Sequence, residues 1–168
     1  KWDYCLIIIQ IQTIDIDMDN QNFIKKNGDN NSMETPIELI NATIEKVESY
    51  LKNNFPEFQV FDHTFTITRG SAQVLIVVRP YTENETVVEF MCNLVPEANL
   101  TPELMEYLLK KNVELHFGAF GLLFDNTITY SYTLVGSNMD ENEFKTALDS
   151  VAIISDYYDD EIINMLSK

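Results

Sequence analysis

Side chains suited to acid–base or nucleophilic catalysis are scarce in this sequence. Its 168 residues include two histidines, His63 and His116, and neither has a Ser, Cys or acid neighbour at a spacing typical of a catalytic triad. The motifs GxSxG, HExxH and GxxxxGK[ST] are absent from the sequence, so hydrolase, metalloprotease and P-loop functions lack their usual signatures. We therefore expect both histidines to be structural, within strands, and we assign no catalytic residue and no cofactor.

Two acidic clusters could in principle hold a cation. Asp15, Asp17 and Asp19 have the spacing that opens a calcium loop, but the sixth position lacks its glycine and the twelfth is Lys26 instead of a bidentate glutamate. The run Asp159-Asp160-Glu161 lies in a predicted helix, where consecutive side chains point in different directions. We therefore predict solvated acids and no metal site.

The charge balance limits the partners. Eleven basic and 27 acidic side chains give a formal net charge of −16, which repels phosphate, so we expect neither nucleic acid nor an anionic membrane as a partner. Cys5 and Cys92 are far apart and form no CxxC or zinc spacing. Buried thiols in a reducing, cytoplasmic setting are therefore expected.

Residues 1–34 differ in composition from the remainder. The apolar run from Tyr4 to Ile9 is followed by glutamines and by a polar stretch from Asp15 to Ser32. This run is too short for a secretory signal or for a membrane span, which needs about 20 apolar residues. We expect a leader at 1–34 that is flexible or not part of the domain, and whether it belongs to the native protein is left open.

Capping signals predict three helices in residues 35–168. The cap residues are Thr35 with Pro36 and Glu38, Thr101 with Pro102, and Asp140 with Glu143. The first helix is predicted to end near Asn54, and the third keeps one apolar face for about seven turns.

Five apolar segments have the length and punctuation of strands. They are Phe58 to Arg69, Ala72 to Pro80, Thr86 to Val95, His116 to Phe124, and Thr127 to Val135. Short polar breaks between them favour antiparallel hairpins over helical crossovers. The predicted fold is a single α+β domain, helix-βββ-helix-ββ-helix, with a five-stranded antiparallel sheet packed on helices.

The predicted sheet is apolar on both sides. Val74 to Val78 is apolar at both parities, whereas a half-solvated strand alternates apolar and polar residues. One interpretation is that the helices cover both faces. The other, which we favour, is that a client protein or a second copy in a homodimer completes part of the surface. The candidate contact residues are Val74, Ile76, Val78 and Phe90, and which parity faces outward is left open.

The segment Gly118-Ala119-Phe120-Gly121 has the GxxG spacing of a nucleic-acid-binding KH loop. A KH loop requires flanking helices and a basic setting, whereas this segment lies in a predicted strand near acidic residues. We instead predict close-packing positions at Gly118 and Gly121, where a helix or a second chain can approach the strand.

The order of the elements resembles the type III secretion chaperone-like fold. Three segments, Leu108 to Asn112, Phe117 to Leu122, and Val151 to Ile162, resemble the YbjN-like family, in particular its cyanobacterial branch of unknown function. The resemblance covers about Thr35 to Lys168 and brings no catalytic residues with it. It implies a small acidic α+β module, often dimeric, whose secretion-chaperone relatives bind an extended client segment on sheet and helix surfaces.

Two functional hypotheses follow. The first is a non-enzymatic protein-binding module, chaperone-like or regulatory, that uses apolar sheet surface. The alternative is a small-ligand-binding protein or an enzyme with a site between the sheet and the C-terminal helix, near Tyr130, Tyr132 and Tyr158. An exposed apolar face would favour the first hypothesis, and a deep closed pocket with convergent polar groups would favour the second.

The leader generates the first prediction. Because residues 1–34 share no periodicity with the domain, we expect a variant that starts at Met33 to keep its melting temperature within a few degrees in a thermal unfolding experiment. A stability loss of about 2 kcal/mol or more would show that the run from Leu6 to Ile9 packs into the fold.

Overall fold

The structure, a computed structural model, describes residues 35–61 and 63–167. The predicted leader, with its apolar run and its aspartates, lies outside these residues. The described elements are α1 (Ile37–Asn54), β1 (Gln59–Phe61), β2 (Thr64–Arg69), β3 (Ala72–Thr82), β4 (Glu85–Val95), α2 (Pro102–Glu114), β5 (Ala119–Leu122), β6 (Ile128–Val135) and α3 (Glu141–Leu166).

Two of the three predicted helix caps are confirmed. The Thr101 hydroxyl accepts a hydrogen bond from the Leu104 N–H at 3.2 Å. Asp140 and Glu143 form a reciprocal capping box, since each side chain accepts from the other residue's N–H, at 2.7 and 2.9 Å. These bonds satisfy N–H groups that have no partner within the helix.

The cap predicted at Thr35 is wrong. α1 begins after Pro36 without a side-chain cap. The Thr35 hydroxyl instead donates to the Thr82 carbonyl oxygen at 2.6 Å and accepts from the Tyr81 N–H at 3.1 Å. The hairpin between β3 and β4 therefore takes the hydroxyl that the sequence pattern assigned to the helix, and it holds the start of α1 against the sheet.

The sheet is antiparallel throughout, with strand order β1-β2-β3-β4-β6-β5. The α+β fold class is confirmed, but the strand count is six and not five. The predicted strand from Phe58 to Arg69 is broken near His63, whose φ of 61° is left-handed, so the segment folds back as the β1–β2 hairpin. His116 lies in the loop before β5, so neither histidine lies within a strand.

The hydrophobic core lies between one side of the sheet and the helices. Cross-strand neighbours Val74, Cys92 and Tyr130 share this side, which we call the covered face. Phe144 of α3 packs on Phe90 with ring centroids 5.3 Å apart. α1 reaches both the sheet and α3, and α2 packs against α3 and β5, so all three helices gather on the covered side.

The edge of the sheet at β5 is closed by a side chain. The Asn112 amide of α2 donates to the Phe120 carbonyl oxygen at 3.2 Å and accepts from the Phe120 N–H at 2.7 Å. These are the backbone groups to which an added strand would bond. Asn112 thus replaces a neighbouring strand at this position.

The two glycines next to this edge differ in how tightly they are packed. Gly118 has a left-handed φ of 84°, and a Cβ added there would lie 2.5 Å from the Ser131 carbonyl oxygen. Gly121 is outside the left-handed region, and its added Cβ would lie 3.3 Å from the Thr129 hydroxyl. At both positions the close neighbour belongs to β6.

Gly118 generates the second prediction. Gly118→Ala should lower the free energy of unfolding by about 1 to 3 kcal/mol, because alanine is strained at this left-handed φ and its methyl group would collide with the Ser131 carbonyl oxygen. The matched variant Gly121→Ala should cost clearly less, since its neighbour is a side-chain hydroxyl. Urea denaturation of both variants measures the difference, and equal stability of Gly118→Ala and the parent protein would contradict the packing argument.

Candidate protein-binding face

The four residues predicted to contact a partner lie on the covered face. Val74, Ile76 and Phe90 are fully buried against the helices, and Val78 is partly buried. Their assignment as contact residues is therefore corrected: they are core residues. Because successive strand residues point to opposite sides, the solvent-side residues have the other parity.

The solvent side of the sheet, which we call the open face, is formed by the other parity of the four central strands. No helix within residues 35–61 and 63–167 packs on it. The open face comprises Thr64, Thr66, Thr68, Gln73, Leu75, Val77, Arg79, Val87, Glu89, Met91, Asn93, Thr129, Ser131, Thr133 and Val135.

Apolar side chains occupy the centre of the open face. We call Leu75, Val77, Val87, Met91 and Val135 the apolar patch. Leu75 pairs in register with Met91, and Val87 pairs with Val135. Leu75 is 8% exposed, Val135 is exposed, and the other three are half-buried. Grouped apolar side chains on the solvent side of a sheet are typical of surfaces that bind another polypeptide.

Among the open-face residues named above, charge is limited to one ion pair. Arg79 Nε lies 2.5 Å from Glu89 Oε2, and these side chains are 31% and 28% exposed. Glu85 has the same parity at the start of β4, and its carboxylate accepts hydrogen bonds from the Ser137 N–H and hydroxyl. The centre of the open face is therefore neutral in a chain whose net charge is −16. By contrast, α3 carries seven acidic residues and one lysine.

A second apolar surface runs along α2. Met105, Leu109 and Val113 are spaced four residues apart, so they form one stripe, and they are 44%, 68% and 87% exposed. The buried side of this helix carries Leu104 and Leu108, and the outer stripe was not predicted from the sequence. The four-residue spacing of apolar residues was the signal that could have revealed it.

The three tyrosines of the alternative hypothesis pack against other aromatic side chains. Tyr130 is fully buried, its hydroxyl donates to the Phe117 carbonyl oxygen, and burial raises its pKa to about 12. Phe120 packs against both Tyr130 and Tyr158, with centroid distances of 4.9 and 5.4 Å. Tyr132 packs on Phe117 at 5.8 Å.

The structure shows a cleft elsewhere, at the connection between α1 and β1. Its volume is about 250 Å³, and none of the three tyrosines lines it. The lining residues are Phe55, Pro56, Glu57, Phe58, Ile67, Thr68 and Arg69.

A thiol and two aspartates have structural surroundings. Cys92 is a buried free thiol, and burial raises its pKa, so it stays protonated. The Ser71 N–H donates to Asp156 Oδ1 at 2.6 Å, and the Ser71 hydroxyl, 2.7 Å from both Asp156 Oδ1 and Asp159 Oδ2, donates to one of these carboxylates, so α3 fastens the β2–β3 turn. The described residues contain no group of three or more side chains that could hold a metal ion, and no described helix is long and apolar enough to cross a membrane.

The fold and its surfaces define a small α+β module with one sheet face covered by helices and an opposite face that no described helix covers. The chain belongs to the TY-Chap1 family, described as T3SS (YopN, CesT) and YbjN peptide-binding chaperone 1, which matches residues 38–167. This match confirms the expected relation to YbjN-like proteins. A search of curated proteins finds no match.

Proposed function

We propose that this protein is a non-enzymatic, chaperone-like module whose open face binds an extended segment of another protein. The observation that carries the proposal is the apolar patch on a sheet face that no described helix covers. The peptide-binding description of the family supports it. A client segment would bury the patch and gain about 25 cal/mol for each Å² of apolar surface removed from water.

The rim of the open face suits an extended chain. Thr66, Ser131 and Thr133 lie beside the patch in the register of the sheet, and their hydroxyls can donate to or accept from a peptide backbone. A client held in this way is recognised by shape and by dispersed hydrogen bonds. Such binding suits a chaperone, which must also release its client.

The cellular setting is also a proposal. The buried free thiol of Cys92 suits a reducing compartment, so we propose a cytoplasmic location. Placement in the cyanobacterial branch of the family stays a prediction.

The client-binding proposal generates the third prediction, which compares substitutions on the open face and on the covered face of β3 and β4. The variant Val77→Thr/Met91→Gln makes the patch polar at nearly constant volume, so it should weaken peptide binding about tenfold and change the melting temperature little. The probe is the tightest binder from an array of uncharged 11-residue peptides, the length of β3 and β4, and fluorescence anisotropy measures its dissociation constant.

Val74→Thr is the matched control, because it places the same hydroxyl on the covered face of the same strand. It should lower stability by about 1 to 3 kcal/mol through burial of a polar group, while the folded protein binds the peptide normally. Equal peptide affinity of Val77→Thr/Met91→Gln and the parent protein would contradict a binding site on the open face.

We further propose a homodimer formed through the outer stripe of α2. Two antiparallel copies of the helix would place Met105 opposite Val113 and Leu109 opposite its own copy. α2 carries three acidic residues and two lysines, so charge repulsion opposes this contact much less than a contact through the acidic α3.

The homodimer proposal generates the fourth prediction, which concerns oligomeric state. Sedimentation equilibrium should show a concentration-dependent dimer, and Leu109→Lys should abolish it without loss of stability because this side chain is exposed. Ile153→Lys, on the exposed side of α3, should leave the dimer intact. A parent protein that stays monomeric at high concentration would refute the proposal.

A further inference from the structure

The ion pair of the open face lies within the apolar patch. In the register of β3 and β4, Arg79 is opposite Val87 and Glu89 is opposite Val77. The two charged side chains therefore cross diagonally between two members of the patch, and a segment that covers the patch also covers the pair.

Pairing leaves the centre of the open face without an available charge. The 2.5 Å contact joins Arg79 Nε to Glu89 Oε2, so each charge is already compensated by the other. A charged side chain of a client could form an ion pair here only by breaking the contact between Arg79 and Glu89. Removal of one partner from a covered ion pair is costly because the other charge is left uncompensated.

A charged client side chain at this position would lose its hydration without gaining a counter-charge. An uncharged side chain loses less on burial and leaves the ion pair intact. The net charge of −16 attracts basic segments to the molecule at long range, but the carboxylate that lies within the apolar patch, Glu89, is already paired with Arg79. The neutral patch therefore favours uncharged segments, whereas the net negative charge of the whole molecule favours basic ones.

We propose that the open face selects extended client segments that carry no charged side chain where they cross the patch, and that the Arg79–Glu89 ion pair sets this selectivity. The inference rests on the proposed client-binding function and adds the chemical class of the client. The ion pair acts as a specificity determinant because each member neutralises the other.

The test uses three peptides and variants that unbalance the pair. The peptides are the uncharged 11-residue binder and its two derivatives with a central Lys or a central Asp. The parent protein should bind the uncharged peptide at least about tenfold more tightly than either derivative at low salt. Arg79→Met leaves Glu89 unpaired and should shift the preference about tenfold toward the Lys peptide, whereas Glu89→Met should shift it toward the Asp peptide.

Matched controls separate the local pair from net charge. Lys52 and Glu48 form an exposed ion pair on α1, so Lys52→Met and Glu48→Met change the net charge by the same amounts and should leave the preference unchanged. The double variant Arg79→Met/Glu89→Met restores neutrality and should again prefer the uncharged peptide.

The outcomes distinguish the two claims. Equal affinity of the parent protein for all three peptides, with Val77→Thr/Met91→Gln still weakening binding, would overturn the selectivity and leave the proposed function standing. A shift with Lys52→Met as large as that with Arg79→Met would also overturn it, because net charge would then suffice. If none of the peptides binds, or if a second copy of the chain occupies the open face in place of the peptide, the proposed function and the selectivity both fail.

Discussion

The packing of α3 on one side of the six-stranded sheet is the interaction on which the rest of the structure depends. Phe144 meets Phe90 and the Tyr50 ring of α1, at centroid distances of 5.3 and 5.7 Å, and this contact joins both long helices to the sheet. Because strand side chains alternate between faces, fixing Phe90 toward α3 also fixes Met91 toward solvent. The same strand alignment thus determines which side chains form the core and which form the open face.

The sequence predicted much of this fold because several signals were local. The caps at Thr101 and Asp140, the antiparallel hairpins and the long third helix all depend on residues close together in the chain. The prediction was wrong where distant residues compete, as when Thr35 bonds the β3–β4 hairpin instead of its own helix. The break near His63 requires a left-handed residue that the apolar pattern does not reveal.

The candidate site was harder to predict for a related reason. An apolar excess on β3 and β4 led to the prediction of a partner on the sheet surface, but both parities of Val74 to Val78 are apolar, so the pattern did not distinguish the outward set. The position of the helices determines which set is buried, and Val74 and Ile76 lie in the core beneath them. The closure of the β5 edge by Asn112 depends on the position of α2, so sequence spacing alone gave no indication of it.

The surfaces of the module divide its interactions by chemistry. The acidic α3 favours solubility, the outer stripe of α2 offers an apolar contact with little net charge, and the open face is apolar and neutral at its centre. A protein with this division can carry a net charge of −16 and still present a surface that uncharged polypeptide can cover.

Methyl NMR of the protein, titrated with the uncharged 11-residue peptide, tests the central claim most directly. We expect the methyl signals of Leu75, Val77, Val87, Met91 and Val135 to shift together, while those of Val74 and Ile76 stay in place. Shifts confined to the cleft near Phe58 or to the stripe on α2, with the apolar patch unchanged, would contradict it.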